Sequence, residues 1–188
     1  VALACRTASC TSVNDSTASI NTVHATQLAL AVARSAGLDD TQVNAIAIGG
    51  PIHDLGKIVV ADEILRKPGP LTLDERRSME EHPLLGAAIT AAVTDYDSVV
   101  DLVRHHHERI DGDGYPGRLK GLEISAPTRL FTLADAYSAM TTDRPYRKGF
   151  SPERAIDEIH KGSGTQFDPD FAVAFVDLIE RMYQEAAA

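Results

Sequence analysis

Residues 20–57 read INTVHATQLALAVARSAGLDDTQVNAIAIGGPIHDLGK, and this stretch decides the fold class. Val23, Leu28, Ala31 and Val32 recur at helical spacing until Gly37 supplies a stop. Asp39 and Asp40 cap a second predicted helix through Ile48, which Gly49, Gly50 and Pro51 weaken or bend just before His53 and Asp54. Further along, Lys67-Pro68-Gly69-Pro70 demands a loop. Thr72 with Glu75 forms a capping box for a helix towards His82, and another spans Leu84 to Val93. Asp97 starts one that ends in the run His105-His106-His107-Glu108. Asp111-Gly112-Asp113-Gly114-Tyr115-Pro116-Gly117 places three Gly and one Pro in seven residues, which asks for turns. Pro127 opens a helix through about Met140. Ser151-Pro152 and Asp168-Pro169 each set an N-cap before Pro at the first helical position, so two more helices close the chain. No alternating strand of convincing length is present. The expected fold class is all-α, a multi-helix bundle with long functional loops.

Upstream, residues 11–19, TSVNDSTAS, read as a linker or as the capped entrance to the first helix. Residues 1–19 are thus expected to be a linker or the remnant of a preceding segment, and residues 20–188 the domain proper. The Val at position 1 is expected to mark a fragment or a processed product. A length of 188 residues fits one domain with a short extension. With 44% hydrophobic and 24% charged residues the chain can build a core, and with 5% aromatic residues and no Trp that core must come mainly from Ala, Val, Leu and Ile. Asp and Glu total 27 against 18 Lys and Arg, a net charge of -9, which argues against a generic DNA or RNA binder. An anionic substrate needs a local cation. No stretch reaches the roughly 18 apolar residues of a membrane span, so a soluble, cytoplasmic protein is expected. Cys5 and Cys10 stand near the start without a second Cys or His pair beside them, and inert thiols are favoured over a zinc site.

The histidines carry the chemistry. His24, His53, His82, His105, His106 and His107 fall within or at the ends of predicted helices, accompanied by Asp54 and Asp135. Imidazole with carboxylate suits first-row transition metals. One such His alone is more often a core or surface residue; the adjacent pair His53-Asp54, followed by Gly56-Lys57, shifts the odds. Neighbouring residues on a helix point about 100° apart, so this pair can serve one metal, or its carboxylate can bridge two. A bridge sets two ions about 3.5 to 4 Å apart, the separation used in phosphoryl displacement. Lys57, one turn beyond Asp54, is either a leaving-group donor in the same cavity or a solvated cation at a helix end.

Taken in order, His24, His53-Asp54-Leu55-Gly56-Lys57, His82-Pro83, His106-His107-Glu108, Asp111-Gly112-Asp113-Gly114-Tyr115-Pro116, and Asp135 through Arg144-Pro145-Tyr146-Arg147 resemble the HD-GYP branch of the HD phosphohydrolase superfamily. The resemblance runs from about residue 20 to about residue 175. It implies an HD-type helical bundle with a long GYP loop, hydrolysing cyclic di-GMP to pGpG and/or GMP by attack of a metal-bound hydroxide. It implies that His24, His53, Asp54 and Asp135 hold one ion, with Asp54 as bridge, and that His82, His106 and His107 hold the second. The expected cofactors are two divalent transition-metal ions, Fe or Mn, with Zn or Ni as alternatives. His105 is read as structural or as supporting a ligand, and Glu108 as orienting a ligand or the following loop. Arg144 and Arg147 fall where the family places cations for the substrate phosphates, a task suited to the guanidinium fork. Tyr115 is either a packed lid or a substrate contact at a loop bordering the site. The resemblance further implies a diguanylate cyclase (GGDEF) domain as a partner, leaving monomer or homodimer open.

Two positions depart from the pattern. Where trinuclear relatives carry a Glu one turn before the first His, this chain has Ile20, which favours a binuclear centre. Where many relatives carry an Asp three residues after Asp135, it has Ser138, which keeps a hydrogen bond to substrate but loses the charge-assisted one. Two alternatives stand beside the diesterase: a sensor or cyclase-contacting module without turnover, and a phosphohydrolase of another nucleotide.

Overall fold

A computed structural model of the chain describes residues 15–143 and 148–186. Nine α-helices occur among the described residues: α1 Asp15–Ser35, α2 Asp40–Gly49, α3 Asp62–Leu65, α4 Leu73–Glu80, α5 His82–Ala91, α6 Asp97–His105, α7 Ala126–Thr141, α8 Pro152–Gly162 and α9 Pro169–Ala186. Three 3-10 turns, Gly50–Ile52, Leu55–Val59 and Gly121–Glu123, interrupt them. The only extended pairing among these residues is an isolated bridge between Ser163 and Phe167. The all-helical expectation holds.

Local chemistry explains where helices start. Asp39 accepts from the Gln42 amide at 2.9 Å while the Gln42 side chain returns to the Asp39 amide at 3.0 Å. Thr72 and Glu75 make the same reciprocal pair for α4. Ser151 caps α8 ahead of Pro152, and the Asp168 carboxylate accepts from the amides of Asp170 and Phe171 at the start of α9. Helix α1 begins at Asp15, upstream of the expected start near Ile20. Residues 1–14 lie outside the described residues.

The long helices α1 and α7 pack along one another, with α2, α6, α8 and α9 around them. Leu28, Val32, Ile46, Leu102, Leu130, Phe131, Leu133, Ile159, Phe175 and Ile179 form the core, filled out by Ala25, Ala29, Ala33 and Ala134. Small residues on α1 and α7 let the two backbones approach. That approach sets His24 of α1 beside the last two turns of α7, which carry Asp135 and Ser138.

Candidate metal centre

Gly49-Gly50-Pro51 does more than bend α2. It ends the α-helix and tightens the chain into a 3-10 turn, so His53 and Asp54 stand at the junction of two such turns rather than on a regular helix. The reason is local: Pro51 cannot donate a helical hydrogen bond, and two glycines favour helix poorly. The His53 ring nitrogen Nδ1 thereby meets the Gly50 carbonyl three residues back, at 2.7 Å. The same device recurs twice. His82 Nδ1 lies 2.7 Å from Met79 O and His106 Nδ1 lies 2.9 Å from Val103 O. A ring nitrogen facing a carbonyl oxygen must carry the hydrogen, so in each neutral ring the lone pair sits on Nε2.

Those Nε2 atoms converge on Asp54. His53 Nε2 lies 3.4 Å from Asp54 Oδ2, whereas His82 Nε2 and His106 Nε2 lie 3.4 and 3.9 Å from Oδ1. The two carboxylate oxygens thus face different imidazoles. His82 Nε2 and His106 Nε2 approach to 3.3 Å. With both hydrogens committed at Nδ1, two lone pairs face one another, an arrangement that a cation relieves. Asp54 Oδ1 is buried and has no hydrogen-bond partner. One donor atom each from Asp54, His82, His106 and His107 fit within 4.8 Å of one another. These residues suit a divalent metal ion.

The charge states agree. Burial pushes the Asp54 carboxyl up, but the adjacent His53 imidazole and the Lys57 ammonium, with His82 close by, outweigh it and hold it well below the usual carboxylate range. Burial, with the neighbouring His107 and His53, drives His106 well below the ordinary imidazole range, and burial with His82 brings His107 down to about 3. The lone pairs of His106 and His107 therefore stay unprotonated at neutral pH.

Other residues singled out in the sequence take distinct places. Asp135 Oδ1 lies 3.7 Å from His53 Nε2. Lys57 Nζ donates to Asp54 Oδ2 at 2.6 Å from one turn beyond it. Gly56 lets this happen: a Cβ there would stand 1.9 Å from His82 O and 2.6 Å from Gly86 N, so only glycine seats the 3-10 turn against α5. Glu108 is buried and accepts from the amides of Gly117 at 2.5 Å and Leu119 at 3.0 Å, which fastens the GYP loop. His105 turns away to Asp101 at 2.9 Å, where Asp101 also accepts from Ser125 and Thr128. Tyr115 stacks on His107, ring centres 4.8 Å apart and planes at 28°.

Ser138 departs from the expectation of a substrate contact. It is fully buried; its hydroxyl donates to Asn21 O at 3.0 Å and lies 3.2 Å from His24 Nδ1. With that hydroxyl hydrogen committed, His24 Nδ1 is the donor and Nε2 keeps the lone pair. Arg144 and Arg147 lie outside the described residues, as does the side chain of Ile20.

A cavity of about 450 Å³ opens beside the cluster, walled by His106, His107, Tyr115 and Asp135 and, at its outer side, by Arg76, Glu80 and Arg109. Arg76 and Glu80 escape sequence reasoning, since charged residues on α4 read as a solvated face, and Arg109 lies in the loop after α6. Arg109 is paired bidentately with Asp111.

Comparison with known proteins agrees with this architecture. The HD domain family matches residues 6–171. Cyclic di-GMP phosphodiesterase PA4108 of Pseudomonas aeruginosa is 41% identical over 153 residues, covering 81% of this chain. A 3'3'-cGAMP-specific phosphodiesterase 1 of Vibrio cholerae is 32% identical over 158 residues, covering 84%. The chain spans 37% of the length of each of these two relatives. Among solved structures, Bd1817, a HDG"Y"P protein from Bdellovibrio bacteriovorus, superposes with a TM-score of 0.66 at 19% identity, over 86% of this chain and 52% of that one, and so shares the fold. The chain belongs to the HD domain family, and its series from His53-Asp54 to Gly114-Tyr115-Pro116 puts it in the HD-GYP branch.

Proposed function

We propose that this chain is a metal-dependent phosphodiesterase of the cytoplasm that hydrolyses cyclic di-GMP to pGpG and/or GMP. The observation that carries the reading is Asp54, whose two oxygens face separate imidazoles while a lysine holds one of them. That division suits a bridge between two divalent ions, Fe or Mn by the mix of imidazole and carboxylate, with Zn or Ni as alternatives. His24, His53 and Asp135 would hold one ion with Asp54, and His82, His106 and His107 the other. When bound, such a pair lowers the pKa of water and offsets charge on the phosphoryl oxygens.

The chain's own groups do the rest. Three backbone carbonyls keep Nε2 lone pairs aimed inward, so no reorientation is needed on binding. Lys57 places an ammonium group at the edge of the centre, close enough to Asp54 to hold a proton for the departing 3′ oxygen. The cavity beside the cluster receives the nucleotide, with Arg144 and Arg147 as the phosphate contacts that the resemblance implies. A GGDEF domain as partner rests on the same resemblance. Substrate choice is supported by the relative named a cyclic di-GMP phosphodiesterase, while the 3'3'-cGAMP-specific relative supports a second reading in which one guanine is replaced by adenine.

The deciding experiment offers cyclic di-GMP and 3'3'-cGAMP separately to anaerobically purified protein reloaded with Mn²⁺ or Fe²⁺, with products identified by mass and metal counted. The expected result is about two ions per chain and metal-dependent release of pGpG or GMP, abolished in Asp54→Ala. Faster turnover of 3'3'-cGAMP would establish the second reading. Binding of cyclic di-GMP without turnover under every metal would replace the enzyme with a sensor.

A further inference from the structure

We propose that Tyr115 is the positioning residue of His107, holding its imidazole for metal as backbone carbonyls hold the other rings of the cluster. The inference rests on the reading of His107 as a metal ligand. His53, His82 and His106 are each fixed by an Nδ1 hydrogen bond to a carbonyl three residues earlier. Among the described residues, no hydrogen bond reaches the His107 ring. Its ring neighbours are His106 and His82, tilted or edge-on with centres 4.1 and 5.1 Å away, and Tyr115, the one of the three that lies nearly parallel, at 28° with ring centres 4.8 Å apart. Stacking restricts rotation of the imidazole out of its plane and leaves both ring nitrogens free.

The loop is built to keep that stack. The Tyr115 amide donates to the His107 carbonyl at 3.3 Å, which returns the chain onto the residue it left. Gly114 makes the return possible, because a Cβ there would stand 2.5 Å from Arg109 N and 2.7 Å from His107 O. Glu108, adjacent to His107 and buried, closes the loop on its far side through the amides of Gly117 and Leu119. The whole segment from residue 108 to residue 119 thus acts as a clip that presses one aromatic face on one ligand. A flat ring is what the position requires; the phenolic hydroxyl contributes nothing to the stack.

Two variants separate these features. Tyr115→Phe keeps the flat face and Tyr115→Leu keeps apolar bulk without it. In Mn²⁺ titrations followed by calorimetry, affinity should fall about tenfold in Tyr115→Leu and stay within about twofold of wild type in Tyr115→Phe, as loss of a ligand-orienting partner elsewhere does. Equal affinity in Tyr115→Leu and wild type, or equal losses in both variants, would overturn the proposal. If wild type binds no Mn²⁺, the metal reading falls and this one with it; if wild type binds and Tyr115→Leu binds as well, only this one falls. A second measurement does not depend on a folded Tyr115 variant. The ring protons of His107, identified by their absence in His107→Gln, should show nuclear Overhauser contacts to the Tyr115 ring, and the lack of any such contact would refute the stack.

Discussion

Replacing Gly56 by alanine tests the joint on which the centre depends. The new methyl would sit 1.9 Å from His82 O and 2.6 Å from Gly86 N, both backbone atoms, so no side chain can rotate out of the way. To reach ordinary contact at 3.4 Å, the 3-10 turn Leu55–Val59 and the start of α5 must part by about 1.5 Å. Overpacking of this kind costs about 1–3 kcal/mol, which for a chain of this size lowers Tm by roughly 2–12 °C. The same movement separates Asp54 Oδ1 from His82 Nε2, now 3.4 Å apart, and shifts Lys57 with it. Metal affinity should therefore fall by more than tenfold, as expected for misplaced ligands. A thermal melt of the metal-free protein reads the packing cost, and a Mn²⁺ titration of the folded variant reads the geometry. Wild-type Tm together with wild-type affinity in Gly56→Ala would refute the reasoning, since it would show that the turn and α5 are not seated as described.

Ser138→Ala should cost about 1 kcal/mol and weaken Mn²⁺ binding, because His24 Nδ1 loses its acceptor, while Ser138→Asp should lower Tm further by burying a carboxylate rather than improve nucleotide binding; melts and titrations of both check this. The Asp101 carboxyl is pushed up by burial but held below its usual range by hydrogen bonds from His105 and Ser125, so its contribution to stability is present above the unfolded value near about 3.9 and lost as pH falls through the lower folded value. Urea midpoints should show a gap between wild type and Asp101→Asn at about pH 5 that shrinks on acidification below about pH 4, and a gap that widens in acid would reverse the assignment.

Much of this was legible in the sequence because helix ends have specific chemistry. The Asp39 cap, the reciprocal pair Thr72 with Glu75, and the Ser151-Pro152 step specify helix starts with few alternatives. The start of α1 was harder, since the Ser, Thr, Asn and Asp that cap helices also make turns, and composition does not say which of them is the cap. His53 and Asp54 were identifiable as a pair, yet their 3-10 setting depends on how Gly56 nests against α5, a contact between elements. Ser138 misled for a related reason: its spacing from Asp135 suggests the site, while its burial follows from the close packing of α1 on α7. Arg76 and Glu80 carry no signal of their own and join the cavity only because α4 leads directly into His82.

The carbonyls that hold three of the imidazoles lie in turns that precede each ring, and two of them sit at the ends of α4 and α6. Terminal turns are the parts of a helix that fray first. An opening of the last turn of α6 would therefore release Val103 O and let the His106 ring rotate, at the cost of unseating Leu102 and Val103 from the core. Affinity at the proposed centre is in this way tied to the stability of these two helix ends. By reciprocity, an ion bound there would act as a staple across helix termini that are far apart in sequence, and amide exchange at those terminal turns is where its presence would register.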